Sequence, residues 1–265
     1  KSLTSWNALM LKGYVDAYKV FNDPHFLDIA LKNANFIHKK QLQKDGNLLH
    51  NYKNGKSTIN GHLEDYAPVI DAFISLYEAS LDEKWLNLAK QLTDHTFVHF
   101  FDSETSMFYF TSDEDDVLIA RKMDIDDNVI PASNSIMANN LFKLSHYYSN
   151  SEYLKICIQM LNNVKERALQ YGGGYSNWLQ LMCNLTGDYY EIAISGENAT
   201  EKLIELNQLY IPNKLIAGST GNSKIPLMEG RYNKDETLIY VCVDGVCRLP
   251  ENNVQKALEQ LNIKF

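Results

Sequence analysis

Four segments of this chain are versions of one another: TSWNALM from Thr4, GHLEDYAPVI from Gly61, PASNSIMANNL from Pro131 and GYSNWLQLM from Gly174. Each sets a polar and aromatic cluster at the start of an apolar helical run. A second kind alternates with them, in DPHFLDIALKNANFI from Asp23, DEKWLNLAKQL from Asp82 and SEYLKICIQML from Ser151. There a capping Asp or Ser leads an amphipathic stripe. Repetition on this scale constrains the fold strongly, because one helical hairpin cannot bury its own faces and must stack on its neighbours. If the opening helices are equivalent, their polar starts gather at one end of the array. That arrangement predicts a single pocket lined by Trp6, His62, Asp65, Tyr66, Asn134 and Trp178.

The two kinds of helix differ in apolar coverage. The helix opening near Ser5 is apolar nearly all round, with Trp6, Leu9, Met10, Val15 and Phe21, and so is expected in a buried inner layer. The helix after Asp23, with Pro24 at its first position, carries one stripe opposite Asp28, Lys32 and Lys39 and reads as an outer helix. The alternation continues through inner helices from Leu63, Ser133 and Ser176 and outer helices from Asp82 and Ser151. Pro68 is expected in a first turn, where it is tolerated. Between Asp45 and Ser57, two glycine turns predict a hairpin or ordered loop, and MFYFTSDEDDVLIARK predicts a hairpin around its acidic turn. After Thr186 the pattern changes to EIAISG, a helix from Ala199, KLIAGS, TLIYVC and a closing helix from Asn252. The expected architecture is mainly α: a stacked array of helical hairpins over residues 1–188, and a small C-terminal α/β unit over 189–265.

Composition bounds the function classes. Hydrophobic residues make up 45% of the 265, enough for a sizeable core, and a net charge of -8 argues against nucleic acid as a partner. No stretch reaches the roughly 20 apolar residues of a membrane span, and nothing resembles a signal peptide, so a cytoplasmic protein is expected. The opening KSLTSWN runs into a helix with no lead-in, and earlier hairpins are expected outside this sequence. Cys157, Cys183, Cys242 and Cys247 are too sparse for a disulfide scaffold. Cys242 and Cys247 have four residues between them where zinc ribbons have two, and no second pair completes a site. Both are expected reduced and metal-free. GSTGNSK lacks the spacing of a phosphate loop, and no cofactor is expected.

Candidate chemistry sits at the helix openings. Glu64 and Asp65 lie about 100° apart on a helix and cannot cooperate directly, so one can face a pocket while the other serves the helix N-terminus. Asp124, Asp126 and Asp127 enter the third inner helix on a loop, where N-capping competes with a pocket role. If Asp65 and Asp127 both project into a cavity, they form an acid and base pair of the kind that cleaves glycosidic bonds. Trp6, Tyr66, Tyr175 and Trp178 are either ring-stacking walls or core. Asn7, His62 and Asn134 complete the candidate binding set.

The runs LTSWNALM, LEDYAP and DNVIPASNS, together with YIPNKLIAG, PLMEGR and the motif from Cys242 to Cys247 followed by Leu249 and Pro250, resemble one family. It is the C-terminal region of the YyaL-type thioredoxin-domain-containing proteins, which include spermatogenesis-associated homologues. The resemblance implies a six-hairpin (α/α) toroid, of which about half is present here, and a thioredoxin-like domain elsewhere in the full-length protein. It implies no assigned reaction. Toroids of this type act on sugars, and a small sugar-like ligand is the expected partner. The paired histidines of related epimerases have no match among His50, His62 and His146. Three readings follow: a sugar-acting hydrolase or isomerase using inward carboxylates, a non-catalytic binding or regulatory module working with the thioredoxin-like domain, and a structural scaffold.

Overall fold

The computed structural model describes residues 1–116 and 119–262. Helix α1 (Thr4–Phe21) is followed by α2 (Pro24–Phe36), which a π turn extends over Ile37–Gln41. Helices α3 (Leu63–Ser80) and α4 (Glu83–His99), then α5 (Ser133–Tyr148) and α6 (Ser151–Gln170), form two further hairpins, and α7 (Ser176–Thr186) ends the helical part. One device turns every hairpin. The first helix ends on a left-handed residue, Asn22, Leu81 or Ser149, and the next residue caps the second helix. Asp23 accepts from the His25 amide, Asp82 from that of Lys84, and Asn150 from those of Glu152 and Tyr153. The third cap is therefore Asn150 and not Ser151, because the left-handed turn at Ser149 fixes where the chain re-enters a helix.

Helices α1, α3, α5 and α7 pack side by side, and α2, α4 and α6 back them. Burial follows the layers: α3 is covered along almost its whole length, whereas α2 buries only Ala30 and Ala34. Two expectations need correction. Helix α1 buries Ala8, Leu11, Val15 and Tyr18 but exposes Trp6, Met10, Val20 and Phe21, since it has an inner neighbour on one side only. Pro68 lies in the second turn of α3, with no N–H to offer the Glu64 carbonyl one turn back.

Short strands tie the helix openings together. Strand β1 (Ser2–Leu3) pairs antiparallel with β2 (Asn51–Tyr52), which brings the loop after α2 against the start of α1. Within that loop Gly61 packs closely on Leu48, where a Cβ would stand 2.3 Å from the carbonyl oxygen. The hairpin after α4 lies upstream of the acidic turn, with β3 (Phe101–Asp102) pairing β4 (Met107–Phe108). The second run of the expected hairpin contains Val117 and Leu118, which lie outside the described residues.

Beyond α7 come β5 (Tyr190–Ser195), α8 (Ala199–Asn207), β6 (Lys214–Ser219), β7 (Leu238–Val243), β8 (Val246–Cys247) and α9 (Val254–Glu259). The sheet order is β6-β5-β7-β8, with only β5 and β6 parallel. Its two faces alternate as strand geometry requires. Ile192 and Ile194 pack with α8 and α9, whereas Ala193, Leu215 and Ala217 join the core of the helical layer. Tyr77 and Tyr147 reach across to the β6 backbone, where a Cβ on Gly218 would collide with Leu81.

Cys242 and Cys247 form a disulfide, which corrects the expectation of free thiols. The turn Asp244-Gly245, with positive φ at both positions, places the two cysteines directly opposite each other on β7 and β8. Hairpin register, which spacing alone did not reveal, brings the sulfurs together. Among the described residues, no helix is long and apolar enough to cross a membrane.

Candidate functional site

Asp65, in the first turn of α3, and Asp127, in the loop before α5, each tie two helix openings together. Asp65 is fully buried; its carboxylate accepts from the Ser5 amide at 3.1 Å and the His62 amide at 3.0 Å, and lies 2.9 Å from His50 Nδ1. Asp127 accepts from the amides of Ala132 and Asn177, each at 2.9 Å, and from the Ser135 hydroxyl at 2.6 Å. One carboxylate thus joins the starts of α1 and α3, and the other joins those of α5 and α7. Orphan N–H groups at a helix start are what such acceptors satisfy. Neither aspartate lines the cavities described below.

Most of the other residues expected at a pocket are anchors as well. Asn134 is buried; its Oδ1 accepts from the Phe108 amide, and its Nδ2 donates to the carbonyls of Phe108 and Asp124. The Tyr66 hydroxyl accepts from the Leu48 amide and donates to Asn47 Oδ1. Trp178 is wholly buried, its indole N–H donating to the Ile125 carbonyl at 2.9 Å. Asn7 Nδ2 donates to the Leu3 carbonyl, and the His62 ring stacks on Phe110. The expectation of one pocket containing all of these is therefore corrected: side chains at equivalent openings point back to hold loops, not inward.

Trp6 is the exception. It is 64% exposed and stands at the rim of a small cavity with Glu64, Asp124, Pro131 and Ser133. Glu64 is half-buried, and burial first, then the charges of Asp65 and Asp124, push its carboxyl above the ordinary range, although His50 and His62 pull the other way. Asp124 uses one oxygen to accept from Ser133 N and Oγ at the start of α5. The sequence reads Glu64 as a first-turn charge at the helix N-terminus and Asp124 as one of three loop aspartates. Its signal for Glu64 was the helical phase that separates it from Asp65.

The rim shares Leu9, Pro68, Pro131 and Ile136 with a cavity of about 380 Å³ along the inner helices. Its floor is charged. Asp71 is held between Lys12 and Lys143, and Lys19 pairs with Glu78. Burial would raise both carboxyls, but the lysines overturn it and hold Asp71 and Glu78 below their usual values. Lys214, at the same wall, is pushed down to about 8 by burial. A larger groove of about 1170 Å³ lies between α6 and the β3–β4 hairpin, away from Glu64 and the floor charges.

Residues 3–226, most of the chain, match the beta-L-arabinofuranosidase, GH127 catalytic domain. The chain belongs to this family. It is 26% identical to human spermatogenesis-associated protein 20, over 94% of this chain and 34% of the human protein, so it spans about a third of that relative's length. The motif resemblance is borne out. Among solved structures it is similar to a sugar epimerase from a ruminal bacterium (TM-score 0.57, 16% identity, 78% of this chain and 59% of that one). It is also similar to a GH76 alpha-mannanase from Bacteroides thetaiotaomicron (TM-score 0.56, 13% identity, 84% and 64%). These likenesses bear out the (α/α) toroid. With the family match, they make the chain a carbohydrate-related toroid.

Proposed function

We propose that the full-length protein cleaves glycosides at the rim formed here by Trp6, Glu64 and Asp124, with Glu64 as the proton donor and Asp124 as its companion carboxylate. The observation that carries this reading is the pairing of a carboxyl raised by burial with a second carboxylate in one cavity, beside an exposed indole. A proton donor to a glycosidic oxygen must be protonated near neutral pH, and desolvation is the ordinary means of achieving it. Trp6 offers a flat face for a sugar ring. Asp65 and Asp127, the first candidates by motif, act as positioning residues that hold the helix openings under this rim. The family match and the toroid fold support the substrate class. The test is a panel of aryl glycosides, arabinofuranosides among them, against the full-length protein. Glu64→Gln is expected to lower turnover by about 10²–10⁴-fold with little change in melting temperature. Retained turnover in that variant removes Glu64 from the chemistry.

A second reading rests on the cystine. Arg231 donates to the sulfurs of both Cys242 and Cys247, and Cys247 is exposed. A guanidinium in that place stabilises a leaving thiolate. In exchange with a thioredoxin-like domain, one partner thiolate attacks a sulfur and the second partner thiol resolves the mixed disulfide. The cystine is thereby reduced to two thiols while the partner dithiol becomes a disulfide. Trapping a mixed disulfide with a single-cysteine thioredoxin-like domain supports this reading, and its absence in the face of ready reduction by a small dithiol refutes it.

A further inference from the structure

On α4, His95 and His99 stand one helical turn apart with their rings 4.5 Å between centroids. The segment after β4 brings Glu114 to the same place, so that one ligand atom from each of the three side chains lies within 4.8 Å of the other two. Both sides of the cluster are built. The His95 ring stacks on Tyr66 at 5.3 Å and 6°, which fixes its plane. Asp113 N donates to the His99 carbonyl at 3.0 Å, the Arg121 guanidinium donates to the same carbonyl at 2.9 Å, and Phe110 N donates to the Lys122 carbonyl. The loop carrying Glu114 is thus fastened against the end of α4 by its backbone. Asp113 Oδ1 lies 2.8 Å from His99 Nδ1, a carboxylate of the kind that orients a metal-bound imidazole.

We propose that His95, His99 and Glu114 bind a divalent transition-metal ion, Zn²⁺ foremost, with water completing the coordination. Two imidazoles and one carboxylate suit zinc and its neighbours in the first row, whereas calcium and magnesium select oxygen donors. The ion would lock residues 110–116 to α4. The site is independent of the reaction assigned to the rim.

The experiment uses tag-free, chelator-treated protein carrying Cys183→Ser, which removes the exposed thiol as a competing ligand. Equilibrium dialysis followed by elemental analysis is expected to give one zinc per chain, and Zn²⁺ but not Mg²⁺ is expected to raise the melting temperature. Glu114→Gln and His99→Gln should each abolish stoichiometric binding, and Asp113→Asn should weaken it by about 10–100-fold. Glu114 is exposed, so Glu114→Gln keeps the metal-free melting temperature and separates loss of a ligand from loss of the fold. Substoichiometric zinc in the parent, or full zinc retained by the His95→Gln/His99→Gln double variant, overturns the proposal.

Discussion

The Asp65 carboxylate accepts a hydrogen bond from the Ser5 amide across sixty residues of sequence, at 3.1 Å. The same carboxylate serves the His62 amide, so one buried side chain closes the starts of two inner helices. Asp127 repeats the arrangement at α5 and α7. Removing the acceptor strands two amides, each at a cost of about 1–3 kcal/mol. Asp65→Ala is therefore expected to destabilise the protein by about 2–5 kcal/mol, read as a midpoint shift in urea or thermal melts, and Asp127→Ala by a similar amount. An unchanged midpoint with lost turnover would instead return Asp65 to a chemical role.

The floor of the cavity carries a pH dependence. Asp71 and Glu78 are held below the ordinary carboxylate range, so the stability they contribute is fully present above the unfolded values of about 4 and is lost as pH falls below them. Lys143 is raised by Asp71 and Glu78 despite its burial, so its contribution is present below about 10.4 and is lost at higher pH. Asp71→Asn is expected to flatten the acid limb of a stability profile. At neutral pH it should cost about 3 kcal/mol, because Lys143 loses its nearest counter-charge. An acid limb identical to the parent's would place the sensitive carboxylates elsewhere.

The hairpin array was legible because its signals are local: apolar phase, a cap after each turn, and repetition. Pairing across the chain was not. Asp65 and Asp127 carry the same sequence mark whether they face a ligand or a neighbouring amide, and only the fold reveals that Ser5 and Asn177 are the donors. Glu64 differs from Asp65 by one step of helical phase, which the sequence registers without saying which side faces the cavity. The Cys242–Cys247 bond depends on a two-residue turn that sets hairpin register, a feature that counting intervening residues against metal-site spacings does not capture.

The cysteines should react in three classes. Cys183 is exposed, Cys157 is buried with its thiol pushed up to about 12, and the other two are paired. A thiol reagent is expected to find one group in the native protein, two after unfolding and four after reduction. Closing so short a loop constrains the unfolded chain by about 2 kcal/mol, and reduction should lower the melting temperature accordingly. Four reactive thiols in unfolded, unreduced protein would show that the pair is not oxidised.

Trp6 offers a direct report on the rim. Of the three tryptophans, Trp85 and Trp178 are buried while Trp6 is open to solvent. Acrylamide is therefore expected to quench one fraction of the emission, and Trp6→Phe should abolish that fraction while leaving the remainder. A sugar stacked at the rim covers the indole, so a ligand that raises the melting temperature should also protect the quenchable fraction. Trp6→Ala should weaken that ligand by about 1–2 kcal/mol, roughly five- to thirty-fold, through lost ring contact. A stabilising sugar that leaves Trp6 fully quenchable must bind elsewhere, and the groove between α6 and the β3–β4 hairpin becomes the place to look.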